Sequence, residues 1–504
     1  MKTLHIVALS SLLMLSVSCR DDSKFGEAPV LEITDEGDAP VVDEPTDGPE
    51  QYRPQIHFTP NRNWMNDPNG MVKVGDTYHL FYQYNPSDNN WGNLSWGHAT
   101  SKDLFNWEEQ EVALRPDELG MIFSGCAVVD ENNTAGFGVG AVVAFYTSSG
   151  DHQQQSLAYS TDGGMHFTKY ASNPVIANTT MPDFRDPKVF WHAESQRWVM
   201  CLAKGWSFGV DIYTSADLKA WQYQSTFTVP VEACNKGQWE CPDLIRMNCD
   251  GAEKWVMIVS VNPAGPAGGS GTMYFVGQFD GTKFTADSQA YPMWLDYGPD
   301  NYAGVTWSNT GDRHLLIGWM NNWNYAGSSP CSPWRSAMTL PRELGLANVG
   351  GQYVLTLQIA KEIDNIAGEW ADYQQGSAVE ADAYQINLKF RVNELSQFSL
   401  SNGGEGLVVE VKPEAGCLLI KRNSKTGRTD FAGNFSLPAI RMPLTGQGDE
   451  VELNIYVDQS SVEILTADGL SCSTQLVYPG SIYDRMTYDG TATAQYRTFQ
   501  SVRK

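Results

Sequence analysis

Five apolar runs recur along the chain at intervals of roughly 55 to 65 residues, and this regularity limits the fold more than any other feature. They are YHLFYQY (78 to 84), AVVAFYT (141 to 147), RWVMCLA (197 to 203), KWVMIVS (254 to 260) and HLLIGWM (314 to 320). Each is short, rich in β-branched and aromatic residues and bounded by Gly, Asn or Asp, so each reads as a strand. Each unit has room for four short strands, which is one blade of a β-propeller, and five units make five blades. A second repeat follows the first: SKDLFNW (101 to 107), YSTDGGMHF (159 to 167), SADLKAW (215 to 221) and GQFDGTKF (277 to 284) read as one hairpin turn reused.

The pattern changes after LPREL (340 to 344). A connecting segment is expected over 346 to 375, and residues 376 to 504 alternate apolar and polar, as in QINLKFRV (385 to 392) and VELNIYVDQSSVEIL (451 to 465). The expected fold is therefore all-β: a five-bladed β-propeller over 52 to 345 followed by a C-terminal β-sandwich.

Ahead of the propeller, MKTLHIVALSSLLMLSVSC carries Lys2, an apolar run from Ile6 to Val17 and small residues before Cys19. The run is too short for a permanent membrane span and reads as a cleaved export signal over 1 to 19. A Cys in this place resembles the lipobox of bacterial lipoproteins, with Ser16 where Leu is commoner; an ordinary signal with an incidental Cys is the alternative. On the first reading Cys19 is lipidated and residues 20 to 51, rich in Asp, Glu, Pro and Gly, form an acidic tether. Asp21 and Asp22 resemble surface-export signals of some Gram-negative lipoproteins, so an outer-membrane lipoprotein facing the cell exterior is expected, attached only through its lipid.

A formal charge of −25 excludes nucleic acid and anionic membranes as partners, because both demand clustered Lys and Arg. The 12% aromatic share suits either sugar faces or a β-rich core. Beyond Cys19 eight cysteines remain, none in a CxxC spacing, and buried free thiols are expected for most of them.

Three acidic motifs stand in different blades: WMNDPNG (64 to 70), FRDP (184 to 187) and ECPD (240 to 243). Each alone reads as a turn. A propeller gathers its inner strands round one axis, so Asp67, Asp186 and Glu240 are expected to share a central funnel. Retaining glycoside hydrolysis needs one carboxyl group to protonate the leaving oxygen and another about 5 Å away to attack the anomeric carbon. No His ligands accompany the acids, so neither a metal nor a cofactor is expected.

Together with FYQYNP (81 to 86), WGNLSWGHA (91 to 99), FSG (123 to 125) and SPWR (332 to 335), these motifs closely resemble glycoside hydrolase family 32, the invertases, inulinases and levanases. The resemblance runs from about Tyr52 to the C-terminus and includes VDQSSVEIL in the sandwich. It implies that Asp67 is the nucleophile, Glu240 the general acid/base and Asp186 the residue that holds fructose hydroxyls and stabilises the transition state. It implies further that Asn66, Gln83, Trp91, Ser124 and Arg185 line the fructose pocket. Trp319 joins them because laying HLLIGWM over YHLFYQY sets it opposite Gln83. For Gln83, Trp91 and Trp319 ordinary blade packing competes with this role.

Asn66 and Asn69 are expected to keep Asp67 ionised, Arg185 to keep Asp186 charged, and Trp239 to bury Glu240 in part. Cys126 and Cys331 depart from the family pattern and are expected to tune outer subsites, whereas Cys241 reads as packing. The implied reaction is retaining hydrolysis of β-fructofuranosidic bonds in levan, inulin, fructo-oligosaccharides or sucrose through a covalent fructosyl-enzyme. Competing readings are the arabinan- and xylan-cleaving five-bladed families, which lack WMNDPNG in this form, a non-catalytic sugar-binding lipoprotein, and a fructosyltransferase.

Overall fold

The computed structural model describes residues 50 to 446 and 448 to 503. Cys19, the export signal and all but the end of the acidic stretch lie outside them. Five four-stranded antiparallel units surround one axis. Their inner strands are Asn63–Val74, Met121–Asp130, Phe184–His192, Gln238–Cys249 and Tyr302–Thr306, in blades I to V. The five repeated runs are the second strands: Thr77–Asn85, Ala141–Ser149, Arg197–Lys204, Ala252–Asn262 and His314–Met320. They are apolar on both faces because each lies inside a blade packed between two others.

The reused turn joins the third strand to the fourth. Ser101, Ser160 and Ser215 donate to Asp103, Asp162 and Asp217 at 3.0, 2.7 and 3.1 Å, and these carboxylates then accept backbone N–H groups of the turn. The side chain supplies the acceptor that a tight turn lacks. The ring closes where Trp334 and Arg335 pair in parallel with Asn63 and Trp64 of blade I.

Blade V extends beyond the expected boundary at residue 345. Arg342–Val349 and Gln352–Ile359 pair as its outer hairpin, so half of the segment read as a connection belongs to the propeller. The hairpin turns at Gly350 and Gly351, both with positive φ, which is the Gly-Gly signal of a two-residue β-turn.

The C-terminal domain is one nine-stranded sheet folded on itself into a sandwich. Tyr384–Ser401 and Arg485–Thr498 pair along most of their length with a break in register after Phe390, and this lets the same two strands serve both layers. Leu388, Phe398, Leu453 and Ile464 lie in the core between them.

The two domains meet over buried charge. Arg342 of blade V donates to Asp296 at 2.9 Å and to Glu463 of the sandwich at 2.6 Å. His57 lies 3.0 Å from Glu463 and 2.7 Å from Asp458. Arg422 of the sandwich reaches Asp300 at 2.5 Å and the Tyr325 hydroxyl at 2.8 Å. The eight cysteines among the described residues are buried free thiols.

Candidate active site

Every inner strand breaks its ladder near its start, and Asn63–Val74 breaks it a second time between Asn69 and Val72. Asn66 and Asp67 face the single residue Gln83, Phe123 and Ser124 face Thr147, Asp186 and Pro187 face Leu202, Cys241 and Pro242 face Val259, and Ala303 and Gly304 face Gly318. A bulge bends its strand and re-aims a side chain, and every blade has one near the start of its inner strand. Asp186, Cys241 and Ala303 take positive φ at the first bulged position, with values of 65°, 46° and 53°. Backbone of this kind in residues other than Gly is strained and concentrates at functional sites.

The bulges sort the site into tiers, and its contacts follow them. Just before the bulge stand Arg185, Glu240 and Tyr302. Arg185 donates to Glu240 Oε1 through Nη2 at 2.7 Å and Nε at 3.2 Å, and the Tyr302 hydroxyl donates to Oε2. Arg185 Nη1 also reaches Asp183 at 2.7 Å and Gln153 at 3.1 Å. At the first bulged position the Cys241 N–H donates to Asp186 Oδ2 at 2.9 Å, while the Asp186 N–H donates to Thr147 at 3.0 Å. At the second, Ser124 Oγ donates to Asp67 Oδ2 at 2.6 Å, and Asn66, itself fixed by Trp64 Nε1 at 2.7 Å, donates to Oδ1 at 3.1 Å. The Cys241 thiol lies 3.5 Å from both Asp67 Oδ2 and Asp186 Oδ2 and ties the tiers together.

Beneath this cluster Lys188 pairs with Asp243 at 3.0 Å, and Thr306 donates to the same carboxylate at 2.7 Å through its N–H and its hydroxyl. This buried polar set fills the axis under the three acids.

Arg185 is shared by Glu240, Asp183 and Asp186, and Asp67 has no cationic partner of its own among its hydrogen bonds. Burial raises the Asp67 carboxyl above its ordinary range; the Ser124 hydrogen bond opposes this and the Glu240 charge adds to it. Burial pushes Asp186 up to about 7, against the lowering by Arg185 and with further raising by Glu240 and Asp67. Arg185 therefore does not hold Asp186 in the usual carboxylate range as the sequence led one to expect. Its nearest approach to Asp186 is 4.0 Å, because its short contacts go to Glu240 and Asp183.

The other residues singled out in the sequence divide. Asn66 and Ser124 hold Asp67, and Arg185 holds Glu240, as described. Trp91 stands 43% exposed on a blade I hairpin, its ring edge-on to Phe123 at 6.3 Å. Gln83 spends its amide on the Ile122 carbonyl at 3.0 Å, joining blade I to blade II. Trp319 is fully buried against Trp323, Trp64 and Tyr302, with ring centroids 4.9, 6.2 and 6.4 Å away. It pairs with Tyr302 ahead of the bulge, the place that Tyr84 holds in blade I, so it is not the counterpart of Gln83. The overlay of apolar runs missed this because it carries no information about the bulge.

Trp239 does not cover Glu240. Neighbouring strand residues face opposite sides, and Trp239 packs with Phe227 and Phe275 while its Nε1 donates to Cys234 at 2.9 Å. Cys126 accepts from the Val189 N–H at 3.1 Å in the core between blades II and III, and Cys331 is buried against the sandwich. Cys241, read as packing, is part of the cluster. Tyr302, Thr147, Gln153 and Asp183 were not singled out either. Tyr302 was within reach, since it occupies in blade V the place that Glu240 occupies in blade IV.

Residues 57 to 356 match the family model described as Glycosyl hydrolases family 32 N-terminal domain, and residues 357 to 502 match Glycosyl hydrolases family 32 C terminal. The chain belongs to glycoside hydrolase family 32. This family 32 enzyme is 45% identical over 456 residues to a levanase of Bacillus subtilis, covering 85% of this chain and 67% of that protein. It is 40% identical over 505 residues to an extracellular exo-inulinase of Aspergillus niger, covering 88% and 93%. The crystal structure of an exo-inulinase from Aspergillus awamori superposes with a TM-score of 0.84 at 37% identity, covering 90% of this chain and 99% of that one. A β-fructofuranosidase from Schwanniomyces occidentalis complexed with fructosyl-erythritol superposes at 0.79 with 32% identity, covering 89% and 98%. The family 32 enzyme is a glycosidase acting on fructosyl bonds.

Proposed function

We propose that this enzyme hydrolyses the terminal β-fructofuranosidic bonds of fructans and fructo-oligosaccharides with retention of configuration, and accepts sucrose. Asp67 attacks the anomeric carbon and forms an ester while the glycosidic C–O bond breaks. Glu240 gives its proton to the departing oxygen. Water then loses a proton to Glu240, attacks the same carbon and releases the Asp67 carboxylate. Asp186 and Arg185 hold the fructose hydroxyls and shape the charge around them.

The observation that carries this reading is the convergence of Asp67, Asp186 and Glu240 from blades I, III and IV on one buried cluster joined by Cys241 and Arg185. Asp67 is held by neutral donors, as suits an attacking anion, and Glu240 is oriented at both oxygens by Arg185 and Tyr302. The exo-inulinases among the relatives support attack at chain ends.

Proton NMR or polarimetry of the first-formed fructose tests the mechanism. The β-anomer is expected before mutarotation. The opposite anomer would mean that Asp67 activates water, with the carboxyl groups standing roughly 6.5 to 9.5 Å apart. Levan and inulin are expected to yield fructose alone; a ladder of oligomers would overturn attack at the ends.

For the location, the reading rests on Cys19 and the acidic stretch behind it, which support a lipid-anchored protein on the outer-membrane surface. Cys19→Ala is expected to move the enzyme from the membrane to the soluble fraction with its activity on sucrose intact. Retention in the membrane fraction would place the anchor elsewhere.

A further inference from the structure

Trp206 is 52% exposed, the most exposed of the described tryptophans. It stands on the hairpin that follows the second strand of blade III, at the same end of the propeller as the three acids: the strand pairs Ala203 with Arg185 and Lys204 with Phe184 as it leaves the site. The hairpin is seated against the residues that hold Glu240. The Trp239 N–H donates to the Gly205 carbonyl at 3.2 Å. A Cβ on Gly205 would come within 2.5 Å of Asp183, which fixes Arg185, and 3.0 Å of Gln238, two residues before Glu240. This close approach admits only glycine and sets Trp206 on the lip beside the proposed acid.

The hairpin is also stiff. Ser207 N–H donates to the Lys204 carbonyl at 2.7 Å, Phe208 N–H to the Gly205 carbonyl at 3.1 Å, and Lys204 N–H to the Gly209 carbonyl at 3.0 Å. The Phe208 ring meets Trp206 edge-on at 6.3 Å. A large aromatic ring held rigidly in water at the rim of a site binds with little loss of conformational freedom.

We infer that Trp206 is a stacking platform for the leaving-group portion of a fructan chain, beyond the first leaving sugar. The side follows from the chemistry, because the group that protonates the glycosidic oxygen stands on the leaving-group side of the broken bond, and the Trp206 hairpin abuts that group's supports. The distance follows from the layering: Asp183 and then Arg185 stand between Gly205, the residue before Trp206, and Glu240. A fructan spreads several sugars past the bond, whereas sucrose has only one.

The inference rests on the fructan-cleaving reading above, and one experiment separates the two. The ratio of kcat/KM on inulin or levan to kcat/KM on sucrose is measured for the wild type, Trp206→Ala and Trp206→Phe, with thermal melting as a check of the fold. The ratio is expected to fall about ten-fold in the alanine variant, the size of one good contact, through a higher KM on the polymer, and to be largely kept in the phenylalanine variant. An unchanged ratio, or equal losses on polymer and sucrose, overturns the platform while leaving the hydrolase reading intact. A wild type that cleaves neither polymer overturns the reading beneath it.

Discussion

Tyr302 of blade V donates its phenolic hydrogen to Glu240 Oε2 while Arg185 of blade III holds Oε1, so the blade IV carboxylate is gripped from both neighbouring blades. Removing one grip tests its value. Tyr302→Phe keeps the ring and loses a hydrogen bond to a charged partner, worth about 1.5 to 3 kcal/mol. A fall in kcat of about ten- to a hundred-fold with nearly unchanged melting is expected. A kcat close to that of the wild type would mean that Arg185 alone positions Glu240.

Ser124 is the donor that most opposes the effect of burial on Asp67. Ser124→Ala is expected to raise the Asp67 carboxyl further. On the proposed mechanism Asp67 attacks as an anion, so the acid limb of the kcat/KM profile then moves to higher pH. An unmoved limb, or one displaced toward acid, would show that another group governs it.

His57 sits between Asp458 and Glu463, where the pull of the two carboxylates outweighs burial and lifts the imidazole from 6.5 to about 9. A group raised on folding stabilises fully below its unfolded value and loses that contribution as pH climbs through its folded one. The melting temperature is therefore expected to decline between about pH 7 and 10. His57→Gln is expected to melt lower at neutral pH, with a loss on the order of 3 to 5 kcal/mol for an unpaired buried charge, and to show a flatter decline. Parallel pH profiles for the two proteins would remove His57 as the cause.

Truncation near Gly376 removes Glu463, Thr474 and Arg422 and leaves Arg342, Asp296 and Asp300 without their sandwich partners. The apolar face around Tyr325, Cys331 and Trp334 is exposed with them. Aggregated or unfolded protein is expected on size-exclusion chromatography. A soluble, fully active propeller would show that the sandwich is dispensable.

The second strands were legible because a central strand is apolar over its whole length and the blade repeats it. The outer hairpin of blade V was not, since Arg342–Val349 and Gln352–Ile359 are only partly buried at the blade's outer edge and the Gly-Gly turn between them reads equally as a linker. At the site, the motifs named the three acids, Asn66, Ser124 and Arg185. They missed Tyr302, which stands in no motif, and Cys241 of ECPD read as packing; both acquire a role only from the blade beside them.

The sequence by itself determined the blade number, the sandwich and the identity of the acids, because strand periodicity and motif spacing are local properties of the chain. The tertiary structure alone decided which acid faces which donor. Asp67, Asp186 and Glu240 occupy three successive positions about a bulge that recurs in every inner strand, so their partners are set by the register of neighbouring blades. Burial of the three carboxylates in one cluster follows from that register. A linear sequence carries the charges, and only closure of the ring brings them together.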